Sequence, residues 1–218
     1  MKYAAARKHM VDSQVRPNDV TDLRLQGALE QLPREAYVPG DQQALAYAEL
    51  DIPLFPGRWL LQARDFAKLV HAAGIDAEDV VLDAGCGYGY SAAVLARLAG
   101  MVMAIEAEED VVASAEQRLA PLNADNIVVL QAQPHDGLPD QGPYDVIVVA
   151  GGAVETVPEA LLAQLKDGGR LACIRRQGQP GKAVLYTRSG DHFGERVLFE
   201  ATPDGVVGGF AREKAFVF

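Results

Sequence analysis

Cysteine is almost missing from this 218-residue sequence, which holds only Cys86 and Cys173. Two thiols, one in a glycine-rich segment and one in a predicted strand, cannot form the disulfide framework of a small secreted domain. The four histidines are far apart, and none lies at a metal-ligand spacing from another histidine or cysteine. The sequence therefore predicts free thiols and neither a structural nor a catalytic metal.

Positive charge is also scarce. The sequence has 20 lysines and arginines but 30 aspartates and glutamates, which gives a net charge of −10. The basic residues form no dense run, so a nucleic acid is a poor candidate for the partner. No stretch approaches the roughly 18 uninterrupted apolar residues of a membrane span, and the first residues hold no apolar signal-peptide core. We therefore expect a cytoplasmic protein that binds neither nucleic acid nor membrane.

Hydrophobic residues make up 49% of the chain and charged residues 23%, which is typical of a globular protein. A single domain is expected over residues 1–218. Residues 1–75 are predicted to form an N-terminal helical cap and an irregular lid, and residues 76–218 a cofactor-binding core. In the cap, one helix is expected from Thr21, its predicted N-cap, to just before Pro33, and residues 34–60 are predicted to be irregular.

Buried strands alternate with helices after residue 76. The apolar segments predicted as strands are "DVVLDAG", "MVMAIEA", "NIVVLQA", "YDVIVVA" and "GGRLACIRR", and the helical ones are "YSAAVLARLAG", "EEDVVASAEQRLAPL" and "VPEALLAQL". This alternation indicates a parallel sheet covered on both faces. Because "KAVLYTR" and "HFGERVLFEA" follow without a crossover helix, we expect an antiparallel C-terminal hairpin at one edge. The predicted fold is α/β, with a mostly parallel seven-stranded sheet. The apolar C-terminal segment "GGFAREKAFVF" is expected to dock.

The segment "DAGCGYGY", residues 83 to 90, follows the first of these strands and has glycine at every second position. Glycines permit positive φ and let a ligand approach the backbone closely. Ligands of open α/β sheets bind at the carboxyl ends of the strands, so the site is predicted here. Glu106 ends the next strand, close to the offset of roughly 20 residues at which an acid binds ribose hydroxyls.

Two ligands compete for this loop. A dinucleotide would need a small residue where Tyr90 stands, and its pyrophosphate would lie unfavourably close to Asp83. S-adenosylmethionine fits better, because its ammonium suits Asp83 and its ribose suits Glu106. Asp136, after the third strand, is the predicted acceptor for the adenine amino group, and Gly137 would leave room for the ring. The residues assigned to the cofactor are Asp83, Gly85, Cys86, Gly87, Gly89, Glu106, Ala107, Asp136 and Gly137.

The phrase "GYSAA" also allows a serine nucleophile elbow, because Ser91 stands on a strand-to-helix turn. Ala93 replaces the second glycine of that motif, and neither His135 nor His192 has a recognisable triad context. Ser91 is expected instead to cap or line the start of its helix.

Four segments carry a resemblance over nearly the whole chain: "MVDSQVRPNDVTDLRLQGALEQLPREAYVP", "VLDAGCGYGYSAAVLARLAG", "PHDGLPDQGPYDVIVVAGGA" and "VPEALLAQLKDGGRL". With them the sequence resembles the protein-L-isoaspartate O-methyltransferases, a branch of the Rossmann-like S-adenosylmethionine-dependent methyltransferases. The resemblance implies protein repair, in which the α-carboxylate of an L-isoaspartyl residue is methylated, S-adenosyl-L-homocysteine is released and the ester collapses through a succinimide. Such a transfer needs alignment and exclusion of water, but no metal or general base.

The sequence departs from this family at the predicted acceptor site. Where the family normally has a hydroxyl-bearing "TIS.P"-type phrase, "GRWLLQARDF" has Trp59 and Leu61 at the threonine and serine positions. Those hydroxyls would hydrogen-bond the substrate carboxylate, each contributing on the order of 1.5–3 kcal/mol. Arg58 and Arg64 are the candidates to replace them as carboxylate clamps. Trp59 has a simpler interpretation as a side chain that fills the core or covers the cofactor.

Three hypotheses follow from this departure. The chain is an isoaspartyl carboxyl methyltransferase acting on proteins or peptides, a methyltransferase for another acceptor such as a small molecule, or a protein that binds the cofactor without isoaspartyl activity.

Overall fold

The computed structural model describes residues 3–177 and 180–211. Its N-terminal part contains three α-helices and a short antiparallel hairpin. These elements are α1 (Ala4–Met10), α2 (Leu23–Gln31), β1 (Ile52–Phe55), β2 (Arg58–Leu60) and α3 (Ala63–Ala73). Helix α2 is capped by Asp22, whose side chain accepts a hydrogen bond from the Arg24 amide at 2.8 Å, and not by Thr21 as the sequence suggested.

The hairpin is the main difference from the sequence-based prediction, which expected only irregular structure in residues 34–60. Gly57 has a φ of 81°, and this left-handed conformation lets the chain reverse between β1 and β2. Each strand is too short to give a clear alternating pattern, so the pairing of Ile52 with Leu60 is visible only in the structure.

The remaining elements form a seven-stranded sheet with helices between its parallel strands. They are β3 (Val80–Ala84), α4 (Tyr90–Leu95), β4 (Met101–Glu106), α5 (Glu109–Leu119), β5 (Ile127–Gln131), β6 (Tyr144–Val154), α6 (Glu159–Leu162), β7 (Leu165–Arg175), β8 (Lys182–Ser189) and β9 (His192–Glu200). The strand order is β5-β4-β3-β6-β7-β8-β9, and the pairs up to β7 are parallel, whereas β8 and β9 are antiparallel. The predicted fold class is confirmed.

Successive strand residues face opposite sides of the sheet, which places two hydrophobic clusters on its two faces. Val81 belongs to the cluster under the N-terminal helices, α3 and α4, and Leu82 to the cluster under α6 and the C-terminal segment. The first cluster joins Met10 and Leu29 of the N-terminal part to the sheet without a gap. The single domain with a division near residue 75 stays a prediction, which this shared packing supports.

The C-terminal segment runs along the end of β6. Ala153 donates its amide hydrogen to Gly205 O at 2.8 Å, and the Val207 amide donates to Ala153 O at 2.8 Å. Phe210 is buried in the second cluster, so the described part of the segment docks as expected, while residues 212–218 lie outside the described residues. In the described ranges, no helix combines the length and the apolar character needed to cross a bilayer.

Candidate active site

The glycine loop leaves β3 at the carboxyl edge of the sheet. Gly85, Gly87 and Gly89 have φ of 88°, 58° and 93°, a region that other L-residues rarely adopt. The amides of Gly85 and Cys86 both donate to Ile105 O, at 3.0 and 3.2 Å, and so tie the loop to the end of β4. The alternating glycines therefore hold the loop between two strand ends, where the sequence predicted a ligand.

Asp83 is fully buried at the end of β3. Ser91 donates its hydroxyl hydrogen to Oδ2 of Asp83 at 2.6 Å, whereas Oδ1 has no hydrogen-bond partner among the described residues. Burial raises the pKa of Asp83 to about 7, and nearby Glu106 adds to the rise, against the opposing effects of Ser91 and Arg58. A buried carboxyl oxygen without a donor is suited to a cationic group such as an ammonium.

Glu106 ends β4 and is also buried, but all of its acceptor capacity is in use. Oε1 accepts from Arg58 Nε at 2.6 Å and from the Gly87 amide at 2.7 Å. Oε2 accepts from Arg58 Nη2 at 2.8 Å and from the Ala107 amide at 3.2 Å. Sequence reasoning placed Glu106 at the strand end beside the loop, but it missed this bidentate partner.

Arg58 reaches the site from β2, and its side chain is only 4% exposed. Beyond the pair with Glu106, its Nη1 donates to Gly57 O at 2.7 Å. The guanidinium lies against glycine backbone, since a Cβ on Gly85 would come within 3.1 Å of Nε and one on Gly151 within 2.9 Å of Cδ. The space that these glycines open at the sheet edge is thus filled by a side chain of the same protein.

Trp59 and Leu61, the predicted acceptor positions, both pack against their surroundings. The half-buried indole of Trp59 lies on Gly152 and Gly205, which leaves no room for a side chain at Gly205 and little at Gly152. Leu61 is 1% exposed. Both residues line a remaining cavity of about 10 Å³ beside the glycine loop, which is close to the space of one water molecule. This packing agrees with the simpler interpretation of Trp59, and neither side chain offers a hydroxyl.

The second candidate clamp, Arg64, lies away from these groups. Its Nε is 2.8 Å from Asp65 Oδ1, and its side chain is 43% exposed. Of the two arginines that the sequence offered as carboxylate clamps, the structure brings only Arg58 to the glycine loop.

Asp136, the predicted adenine ligand, differs from the other two acids because its side chain is 69% exposed. Its Oδ1 is 3.5 Å from His135 Nε2, and no described contact joins it to Asp83 or Glu106. The absence of a side chain at Gly137 makes room for Gln164 and Leu161, and not for a ring as the sequence suggested. Gln164 uses this position to bind Asp136 O and the Leu138 amide, both at 2.8 Å. The adenine role of Asp136 stays a prediction.

The two cysteines and Ser91 are inert in this arrangement. Cys86 and Cys173 are free and buried, and burial raises the pKa of both thiols well above the ordinary value. Ser91 directs its hydroxyl to Asp83 and not to a histidine. Within residues 3–177 and 180–211, no three His, Cys, Asp or Glu side chains are grouped as a metal site.

Comparison with known proteins decides which family has this combination of sheet and loop. The family model Protein-L-isoaspartate(D-aspartate) O-methyltransferase (PCMT) matches residues 5–195. The chain belongs to this family. The resemblance seen in the sequence is thereby confirmed, and the dinucleotide and serine-nucleophile alternatives are removed.

Curated relatives match over most of their length. The chain is 38% identical over 184 residues to a protein-L-isoaspartate O-methyltransferase of Koribacter versatilis (strain Ellin345), covering 84% of this chain and 82% of that protein. It is 34% identical over 212 residues to one of Roseiflexus castenholzii (strain DSM 13941 / HLO8), covering 97% and 96%.

Solved structures share the fold at lower identity. A protein-L-isoaspartate O-methyltransferase superposes with a TM-score of 0.78 at 23% identity, covering 93% of this chain and 66% of that chain. A candidate member from Plasmodium falciparum, solved with S-adenosyl-L-homocysteine, gives a TM-score of 0.76 at 17% identity, covering 92% and 97%. These likenesses establish the architecture of the sheet.

Proposed function

We propose that this protein is an S-adenosylmethionine-dependent O-methyltransferase that esterifies the carboxylate of isoaspartyl residues in protein or peptide substrates. Family membership supports the reaction class, and the named relatives support the substrate class. The observation in the molecule that carries the proposal is Asp83, a buried carboxyl with one oxygen free of donors beside a backbone loop of three glycines. A cytoplasmic location, expected from the sequence, is part of the same proposal.

The charges at the sheet edge fit the cofactor. Oδ1 of Asp83 is available to the ammonium of its methionine part, and the carboxylate of Glu106 is suited to the two ribose hydroxyls once Arg58 releases it. The backbone of Gly85, Gly87 and Gly89 permits close approach of a ligand. When bound, the cofactor supplies a methyl group already activated by a positively charged sulfur.

The residues around this position orient the reactants and exclude water. An ionised acceptor carboxylate is itself the nucleophile, so the protein needs to hold it in line with the methyl group and does not need to remove a proton. Trp59 and Leu61 provide apolar walls that keep water away. Apolar walls alone would penalise a buried carboxylate, so a positively charged or hydrogen-bonding group is needed nearby.

A labelled-methyl assay tests the proposal. The protein is incubated with S-adenosylmethionine carrying a labelled methyl group and with an isoaspartyl peptide, and the same peptide with normal aspartate is the control. We expect a base-labile methyl ester on the isoaspartyl peptide only. If the protein binds S-adenosyl-L-homocysteine but transfers no label above the blank, isoaspartyl repair is rejected, and the remaining hypotheses are a different acceptor or binding without catalysis.

A further inference from the structure

Arg58 and a ribose cannot use Glu106 at the same time. The guanidinium binds both carboxylate oxygens, at 2.6 and 2.8 Å, while two backbone amides take the other acceptor positions. A pair of hydroxyls that binds Glu106 must therefore displace Arg58. The competition follows from the occupied lone pairs and needs no assumption about how the rest of the ligand lies.

Space leads to the same conclusion. Arg58 lies against Gly85 and Gly151 at the carboxyl ends of β3 and β6, and only about 10 Å³ remains open in the neighbouring cavity. A nucleoside is far larger than one water molecule. A ligand that approaches the backbone of Gly85 and Gly151 would thus take the space that the Arg58 side chain fills.

Displacement leaves a positive charge without a counter-ion. Both members of the pair are buried, with side-chain exposures of 4% for Arg58 and 1% for Glu106, and a buried charge that loses its partner is strongly disfavoured. The released guanidinium must reach water or bind another anion. In carboxyl methylation the acceptor itself brings such an anion, and a guanidinium binds a carboxylate through two parallel hydrogen bonds.

The positions that the sequence singled out for the acceptor offer no other ligand for that anion. Trp59 and Leu61 carry no hydroxyl, and the exposed Arg64 is paired with Asp65. Arg58, in contrast, is buried at the glycine loop, and we expect cofactor binding to release it from Glu106.

We propose that Arg58 is the substrate-binding residue for the acceptor carboxylate and that it exchanges Glu106 for the substrate when the cofactor binds. The inference rests on the proposed function for the identity of the acceptor. It predicts ordered binding, with cofactor first and acceptor second, because Glu106 holds Arg58 until the ribose arrives. It also explains how the acceptor site retains a carboxylate ligand after losing the family's hydroxyls.

The chain provides its own reporter for this exchange. Trp59 is the only tryptophan, and it follows Arg58 directly on β2. Movement of Arg58 out of the crevice changes the surroundings of the indole, which packs on Gly152 and Gly205. We expect the fluorescence of the parent protein to change when S-adenosyl-L-homocysteine is added.

The test compares the parent protein with Arg58→Ala, with Arg64→Ala as the control that removes an arginine from the adjoining helix. Calorimetry with S-adenosyl-L-homocysteine measures the competition, and we expect Arg58→Ala to bind roughly tenfold tighter because nothing has to be displaced. With isoaspartyl peptide, KM of Arg58→Ala should rise about 10-fold to 100-fold, the loss of a charge-assisted contact, with a smaller change in kcat. Arg64→Ala should resemble the parent protein in both measurements.

Several results would overturn the proposal. Equal or weaker S-adenosyl-L-homocysteine binding by folded Arg58→Ala means that Arg58 does not compete for Glu106. An unchanged peptide KM removes the acceptor role. If Arg58→Ala fails to fold, Arg58→Gln keeps a hydrogen-bond donor toward Glu106 and is measured in the same way. Tighter cofactor binding together with no methyl transfer by the parent protein would reject the proposed function and leave the displacement of Arg58 standing.

Discussion

Two regions meet at the candidate site, and they differ in how closely they follow the family. The carboxyl ends of β3 and β4 present Asp83 and Glu106 from a rigid parallel sheet, with a glycine loop tied to Ile105 O. The β1–β2 hairpin, with the residue that follows it, presents Arg58 and also Trp59 and Leu61, which stand at the two positions where the family resemblance implies hydroxyls. We therefore expect the predicted cofactor side to have kept the chemistry of the family and the predicted acceptor side to have changed.

The difference has a structural basis. Asp83 and Glu106 are held in strands paired on both sides, so their positions depend on the whole sheet. The hairpin has strands of only four and three residues, and a two-stranded ribbon of that size is not stable alone in water. Its side chains can change without loss of the sheet, so specificity for the acceptor is more easily altered there than recognition of the cofactor.

The largest expected effect tests whether position 61 now belongs to the core. Leu61→Ala should lower the free energy of unfolding by about 2–5 kcal/mol, because a buried leucine is replaced by a cavity. The matched control is Leu50→Ala, since Leu50 is 37% exposed and should change stability by less than about 0.5 kcal/mol. Urea denaturation measures both. A small loss of stability in Leu61→Ala would mean that Leu61 is not needed in the core, and position 61 would again be a candidate for the acceptor site.

The next effect concerns the charge on the cofactor side. Asp83→Asn keeps the shape of the side chain but removes the negative charge that faces the ammonium, so affinity for S-adenosyl-L-homocysteine should fall about 10-fold to 100-fold at pH 8. Calorimetry gives the value. Full affinity in the folded variant would show that the sheet edge has diverged as much as the hairpin.

Measuring the affinity at several pH values tests whether Asp83 binds the ammonium of the cofactor. The pKa of Asp83 is raised to about 7, so the carboxyl becomes protonated below pH 7 and the ammonium loses its partner. Apparent affinity for S-adenosyl-L-homocysteine should therefore be level above pH 8 and weaken by up to about tenfold from pH 7 to pH 6. Asp83→Asn should remove this dependence, and a slope that persists in the variant would assign the titration to another group.

The raised pKa of Asp83 also makes the stability of the protein depend on pH. Between pH 3.8, the ordinary pKa of an aspartate, and pH 7, the folded state binds more protons at Asp83 than the unfolded state does, because its pKa is raised to about 7. The contribution of Asp83 to stability thus becomes less favourable as pH rises through this window. In thermal unfolding, the stability of Asp83→Asn relative to the parent protein should be higher at pH 8 than at pH 5. An equal difference in stability at both pH values would contradict this direction.

The smallest effect tests the exposed acid. Asp136→Asn removes the charge of a side chain that is 69% exposed and has no contact with Asp83 or Glu106 in the described structure. We expect its S-adenosyl-L-homocysteine affinity to change by no more than about threefold, since an exposed polar contact contributes little. A loss as large as that of Asp83→Asn would restore the adenine role that the sequence assigned to Asp136.

Local patterns explain which parts of the site were predictable. Asp83 and Glu106 each follow a run of apolar residues, so the strand ends and their acids could be placed from the sequence. Arg58 and Glu106 are 48 positions apart, and no periodicity or turn signal relates them. Gly137 was misinterpreted for a similar reason, because its neighbour Gln164 comes from the region after α6.

The sequence by itself determined the alternation of strands and helices, the left-handed glycine loop after β3 and the absence of hydroxyls at positions 59 and 61. These features depend on side-chain type and on conformations within a few residues. Only the tertiary structure decided that Arg58 occupies the carboxylate of Glu106, that Leu61 is buried and that Asp136 faces solvent. Ion pairing and burial depend on which distant segments the sheet and the hairpin bring together, and that is a property of the folded chain.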